Sequence, residues 1–143
     1  MYNYQQNRNT PPDSVKKQYG PFFKEDGSLI LDWVGEKANI TSKDFSDKKM
    51  SSTGLRNFYN EFLRIKQLPT EHKQEKLILI KLLVAKANYK EINSKDRRSK
   101  IPHEFTIFIT KLVKEIGEDI KKFENACLIM EAIVGFFPND KGE

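Results

Sequence analysis

Apolar residues beyond position 28 recur mainly at spacings of three and four, which is the period of an amphipathic helix. The pattern predicts five helices, at about 28–38, 52–68, 71–90, 102–116 and 118–137. No segment alternates convincingly enough to predict a strand. The expected fold class is therefore all-α: a compact bundle of about five helices with a flexible N-terminal tail.

The second helix has clear start and stop signals. Ser51, Ser52 or Thr53 can cap its first N–H groups, and Pro69 ends it. Its apolar side carries several large residues, including Phe58 and Phe62. On a helical wheel Arg56 lies at the border of that side.

The third and fifth helices have too much apolar surface for a single buried face. The run "KLILIKLLVAKANY" is apolar almost all round, which predicts that the third helix lies in the centre of the bundle. The end of the fifth helix, "LIMEAIVGFF", indicates either a deep position or a subunit contact.

Two further segments are predicted to be irregular. Residues 1–28 are predicted to form a flexible N-terminal tail, and residues 29–143 the helical-bundle domain. Tyr19, Phe22 and Phe23 also allow a short part of the tail to dock. The run "NITSKDFSDKKMSS" is predicted to be a polar loop.

Charge and cysteine content narrow the class of protein. The net charge of +5 allows an acidic partner such as nucleic acid without demanding one. One cysteine among 143 residues excludes an internal disulfide. No run approaches a membrane span, and the first residues lack the apolar core of a signal peptide. We expect a cytoplasmic protein that does not contact a membrane.

The sequence contains little that is typical of a catalytic site. His72 and His103 lie at predicted helix starts, and with one cysteine they give no zinc spacing. There is no glycine-rich phosphate loop and no nucleophile elbow. We therefore expect no enzymatic activity, no metal and no cofactor.

Three groups of cations are more informative. Arg56 borders the core side of the second helix, and Lys81 and Lys86 interrupt the apolar third helix. A lysine on such a helix either extends to water or finds an anion. The loop after this helix contains Arg97 and Arg98, which either follow a phosphate backbone or are ordinary solvated charges.

The order of three segments carries a resemblance to a known family. "SSTGLRNFY" opens one helix, "LIKLLVAKA" follows, and "FENACLIMEAIVGFF" closes the fold. From Trp33 to Phe137 this resembles the small subunit of the type III-A CRISPR–Cas interference assembly, the Csm complex. The small subunit of type III-B complexes is a close competitor.

The resemblance implies a compact protein without nuclease activity, present in several copies beside the backbone subunits of an antiviral ribonucleoprotein. Its implied partners are crRNA, target RNA, the other subunits and further copies of itself. The positions that match the family's RNA-facing cations are Arg56 and Lys81, and less closely Lys86. Val84 stands where family members often carry a tyrosine.

The candidate RNA-binding residues are thus Arg56, Lys81, Lys86, Arg97 and Arg98. A different class of function is a helical adaptor that makes protein contacts alone, as a homodimer through the fifth helix. It differs from the first hypothesis in having no affinity for RNA.

Overall fold

The computed structural model describes residues 19–93 and 100–138 and confirms an all-α fold. Its five α-helices are α1 (Glu36–Asp47), α2 (Ser52–Lys66), α3 (Lys73–Asn93), α4 (His103–Ile116) and α5 (Ile120–Phe136). Short 3-10 turns precede α1 and α3, at Leu31–Val34 and Thr70–His72. In this part of the chain the β pairing is limited to an isolated bridge between Phe23 and Leu29.

Local capping explains where three helices begin or end. The Ser51 hydroxyl accepts a hydrogen bond of 2.9 Å from the Gly54 N–H, as predicted for α2. The Asp119 carboxylate accepts from the second and third residues of α5, at 2.9 and 3.3 Å. Gly117, at φ +58°, ends α4 in a backbone conformation that favours glycine. These caps fix the short connection between α4 and α5.

Helix α5 is the centre of the bundle. Helices α1 and α2 and the first 3-10 turn pack on it, and α4 adds a smaller contact. Its buried residues form a face about 160° wide at 100° per residue: Phe123, Ala126, Cys127, Ile129, Met130 and Ile133. Of the two interpretations of its apolar excess, the structure shows the deep position for this face, whereas Leu128 and Phe136 remain partly exposed, at 43% and 39%.

Helix α3 does not occupy the centre, so that prediction was wrong. It packs mainly on α4 and makes a smaller contact with α2. Ile80, Leu83 and Ala87 form its buried line, whereas Ile78 and Leu82 are about half exposed, at 52% and 44%. A helix that is apolar on all sides is expected to be buried, but the pattern alone does not show whether other helices of the same chain will bury it.

Residues 39–47 of the predicted polar loop belong to helix α1, so that prediction was wrong for most of the run. The buried face of α1 consists of Ala38, Thr41, Ser42 and Phe45, of which only one is large and apolar. The Ser42 hydroxyl donates a 2.8 Å hydrogen bond to the Ile133 carbonyl on α5. Small and hydroxyl side chains let two helices approach closely, and this produces no apolar stripe in the sequence.

Part of the predicted tail packs against the bundle. Tyr19, Phe22 and Phe23 are buried. The Phe22 N–H donates to the Glu115 carboxylate at 2.8 Å, and the Trp33 indole N–H donates to the Pro21 carbonyl at 2.9 Å. Residues 1–18 lie outside the described residues.

The packing of residues 19–23 against the bundle can be tested by measuring the free energy of unfolding. Phe22 is fully buried, with its ring 4.6 Å from that of Trp33 and 5.5 Å from that of Phe108. Phe22→Ala should lower the free energy of unfolding by about 3–4 kcal/mol, because it leaves a cavity in an aromatic cluster. Urea denaturation measures this. The control Leu31→Ala, at a side chain 71% exposed, should cost under about 0.5 kcal/mol; equal effects would show that the segment is not docked.

Candidate nucleic-acid interface

Helices α2 and α3 form an antiparallel pair that presents most of the candidate cations. Near the turn between them, the Lys76 ammonium donates to the Lys66 carbonyl at 3.4 Å. Farther from the turn, the Lys86 ammonium donates to Glu61 at 2.9 Å. From the first contact to the second, the position on α2 moves back from residue 66 to residue 61, whereas the position on α3 moves forward from residue 76 to residue 86. The two helices are therefore antiparallel.

Lys76 holds the end of α2. Its side chain is buried, at 3% exposure, although it is a lysine. Its hydrogen bond goes to a carbonyl at the C-terminus of α2, where the helix dipole favours a positive charge. This contact fixes α2 relative to the start of α3 and accounts for a buried cation without an RNA role.

Glu61 organises the cations between the two helices. It pairs with Lys86 across the helices at 2.9 Å and with Arg64 on its own helix at 3.7 Å. Burial alone would raise the pKa of the Glu61 carboxyl, but the Lys86 hydrogen bond and the charges of Lys86, Arg64 and Lys90 outweigh it and lower that pKa. Three cations around one carboxylate leave this cluster with a net positive charge.

Arg56 and Lys81 are exposed on the outer faces of α2 and α3. Neither makes a hydrogen bond or ion pair to another residue within 19–93 and 100–138. Arg56 is flanked by exposed Asn57 and, one turn on, by exposed Asn60. These amide groups add hydrogen-bonding capacity beside a free guanidinium.

The separation of the two free cations follows from the helix geometry. Arg56 lies five residues before Glu61, and Lys81 lies five residues before Lys86, on helices that run in opposite directions. At 1.5 Å per residue, the two cations are therefore about 15 Å apart along the helix axes. The Glu61 cluster lies between them, so positive charge extends along the helix pair.

The other predicted residues fall into two groups. Lys86 joins α2 to α3 through Glu61, and its side chain remains 43% exposed. Arg97 and Arg98 lie outside the described residues. The pairing of Lys86 with Glu61 was missed by the sequence reasoning, since the two residues are 25 positions apart. The Glu61–Arg64 spacing of three was the available signal that an acidic residue interrupts the cations of α2.

The described residues contain little that suggests a reactive thiol or a metal site. Burial raises the pKa of the Cys127 thiol to about 12, which keeps it in the unreactive protonated form. Between residues 19 and 93 and between 100 and 138, no group of three or more His, Cys, Asp or Glu side chains could hold a metal ion. None of the helices in these two ranges is long and apolar enough to cross a membrane.

Comparison with known proteins identifies a family. A family model described as Csm2 Type III-A matches residues 30–142. No curated protein and no solved structure matches this chain. The match covers all five helices, and thus includes the α2–α3 pair and its cations.

The lowered pKa of Glu61 predicts a pH-dependent contribution to stability. A carboxyl whose folded-state pKa is depressed stabilises the fold above its unfolded pKa of about 4.3, and this contribution is lost as the pH falls through the folded pKa. At neutral pH, Glu61→Gln should therefore lower the free energy of unfolding by about 1 kcal/mol or less, since the site is partly solvated.

Urea denaturation over a series of pH values measures the effect. The difference between wild type and Glu61→Gln should shrink towards zero in acid, where wild-type Glu61 is also neutral. Glu71→Gln, at an exposed carboxylate on the 3-10 turn before α3, is the control and should change stability little at any pH. A Glu61→Gln difference that stays constant into acid would contradict the electrostatic origin.

Proposed function

The chain belongs to the Csm2 Type III-A family, and on this premise we propose that it binds the RNA backbone as a non-catalytic small subunit of a type III-A CRISPR–Cas effector. The family match confirms the resemblance seen in the sequence. In the proposed role the protein contacts crRNA and target RNA, bridges neighbouring subunits and further copies of itself, and acts in antiviral defence in the cytoplasm.

The observation that carries this proposal is the pair of free cations on α2 and α3. Arg56 and Lys81 are exposed and lack a carboxylate partner in the described part of the chain. An exposed cation gains little from the protein itself, but it releases a condensed counterion when it neutralises a phosphate. Two such cations beside the net positive Glu61 cluster suit a phosphate backbone that follows the helix pair.

The type of contact supports binding without sequence specificity. A guanidinium such as that of Arg56 can bind two phosphate oxygens at once, and Lys81 supplies a point charge. Exposed aromatic side chains of the described residues are Tyr89 and, less so, Phe136, on different helices. They form no stacking platform for bases. Sequence recognition in the proposed role therefore comes from base pairing with the guide, while the protein contacts phosphate and sugar.

We assign different roles to the remaining candidates. Lys86 acts mainly by positioning, because its bond to Glu61 joins α2 to α3; the exposed part of its ammonium adds to the local field. Arg97 and Arg98 are proposed as phosphate contacts from the basic run of sequence in which they lie. Non-catalytic function is proposed from the family match.

The structure gives little support to the homodimeric adaptor based on α5. Most apolar residues of α5 are buried or partly buried within the chain, and its exposed large apolar side chains are Leu128 and Phe136. The family match to type III-A likewise favours this small subunit over its type III-B counterpart. One function is therefore proposed, with RNA as the principal partner.

Removing the free cations should weaken binding uniformly. In a complex reconstituted with guide RNA and the other subunits, Arg56→Ala or Lys81→Ala should each reduce the affinity of this chain about fivefold, which corresponds to ~1 kcal/mol for one exposed phosphate contact. Each should also make the slope of log K against log salt shallower by about 0.7–0.9. Titration with three guide sequences should give the same loss for all.

The matched control is Lys43→Ala. Lys43 is exposed on α1, which packs on α5 and the first 3-10 turn, so the same charge is removed far from the α2–α3 pair. This variant should retain the wild-type affinity and salt slope. If Arg56→Ala and Lys81→Ala behave like Lys43→Ala, the assignment of the interface to α2 and α3 is wrong.

A further inference from the structure

The turn between α1 and α2 contains a residue in an unfavourable backbone conformation. Lys49 has a φ of +74°, and it is the one non-glycine residue with a positive φ in the described ranges 19–93 and 100–138. In this left-handed region an L side chain brings its Cβ close to the following carbonyl oxygen, so glycine is usual there. The amino acid at position 49 therefore lowers the stability of the fold relative to glycine.

The fold, and not the lysine side chain, imposes this conformation. The Met50 N–H donates to the Phe45 carbonyl at 3.0 Å, and the Lys49 N–H donates to the Ser46 carbonyl at 3.0 Å. These two hydrogen bonds form the Schellman motif that ends a helix, and its left-handed position is residue 49. Met50 is buried and holds the turn against the core. Because its neighbours fix the conformation, glycine would occupy position 49 with less strain.

The charge of Lys49 contributes little to the fold. Its side chain is exposed, and its ammonium makes no hydrogen bond or ion pair to another described residue. The dipole of α1 favours a cation at this end of the helix, but Lys48 at the C-cap already supplies one. At an exposed site the dipole effect is also small and screened by salt. A strained residue of this kind is typical of a functional site.

A second free cation lies beside this turn. The Ser51 N–H donates to the Lys100 carbonyl at 3.2 Å, which places residue 100 next to the end of the turn. The Lys100 side chain is partly exposed and, like that of Lys49, has no partner among the described residues. Lys48 differs, because its ammonium lies 4.0 Å from the Glu104 carboxylate. Lys49 and Lys100 are called the α1–α2 corner below.

The α1–α2 corner continues the positive charge of the α2–α3 pair. Ser51 caps the N-terminus of α2, and Arg56 follows five residues later in the chain. At 1.5 Å per residue this is about 7.5 Å along the helix axis. Arg56 therefore lies between the corner and the Glu61 cluster, and the cations form one series along α2. Two lysines against one exposed carboxylate on the same turn, Asp47, leave the corner positive.

We propose that the α1–α2 corner is a second phosphate-binding site, at which the RNA backbone continues beyond Arg56. The ligand is a polyanion and not an apolar protein surface, because the apolar residues beside the two lysines, Met50 and Ile101, are buried. Lys49 thus supplies a binding charge at a position where it weakens the fold. This site deepens the proposed function and rests on it, since it adds a further part to the same RNA-binding surface.

Replacement of Lys49 by glycine separates binding from folding, because the two should change in opposite directions. Lys49→Gly should raise the melting temperature of the full chain by about 2–4 °C, since it removes the left-handed strain. In a complex reconstituted with guide RNA and the other subunits, the same variant should bind about fivefold more weakly, with a salt slope shallower by about 0.7–0.9. A damaged fold could not give this combination, because it would lower both quantities.

Three further variants serve as comparisons. Lys49→Arg keeps the charge and the strained conformation, so its affinity and melting temperature should match those of wild type. Lys100→Ala should weaken RNA binding about as much as Lys49→Gly. Lys114→Ala removes one exposed charge near the other end of α4, about 15 Å along that helix from Glu104, and should leave RNA binding unchanged.

Wild-type affinity in Lys49→Gly would overturn the proposal, and so would equal weakening by Lys114→Ala, since the effect would then be one of net charge. A lower melting temperature in Lys49→Gly would also overturn it, because Lys49 would then act in folding. If Arg56→Ala and Lys81→Ala weaken binding but Lys49→Gly does not, the proposed function stands and the corner alone is rejected. If none of the three weakens binding, the proposed function itself fails.

Discussion

The broad apolar face of α5 is the constraint on which the rest of the bundle depends. A helix with such a face must be covered over most of its width, and no single neighbour can do so. Helices α1 and α2, the first 3-10 turn and α4 divide that task. Phe62 stacks on Phe123 at 5.7 Å between ring centroids, and Ser42 binds the α5 backbone. Because these sides of α5 are taken, α3 is left at the edge, held mainly by α4.

The parts of the fold that are decided locally could be predicted from the sequence. Helix α2 begins at its predicted cap because Ser51 satisfies an N–H within three residues, and α4 ends at Gly117 because the required φ is positive. The parts decided by contact between distant segments could not. Helix α1 is stabilised by small residues packed against α5, and hydrophobic periodicity contains no signal for a close contact of that kind.

The same distinction between local signals and contacts of distant segments applies to the candidate interface. That Arg56 and Lys81 reach solvent follows from helical spacing, and the structure agrees. The role of Lys86 depends on Glu61, which is remote in sequence and becomes its neighbour only when α2 and α3 pair. A lysine on an apolar helix either extends to water or pairs with an anion. On α3, Lys81 extends to water and Lys86 pairs with Glu61 of the neighbouring helix. The neighbouring helix therefore decides which of the two applies.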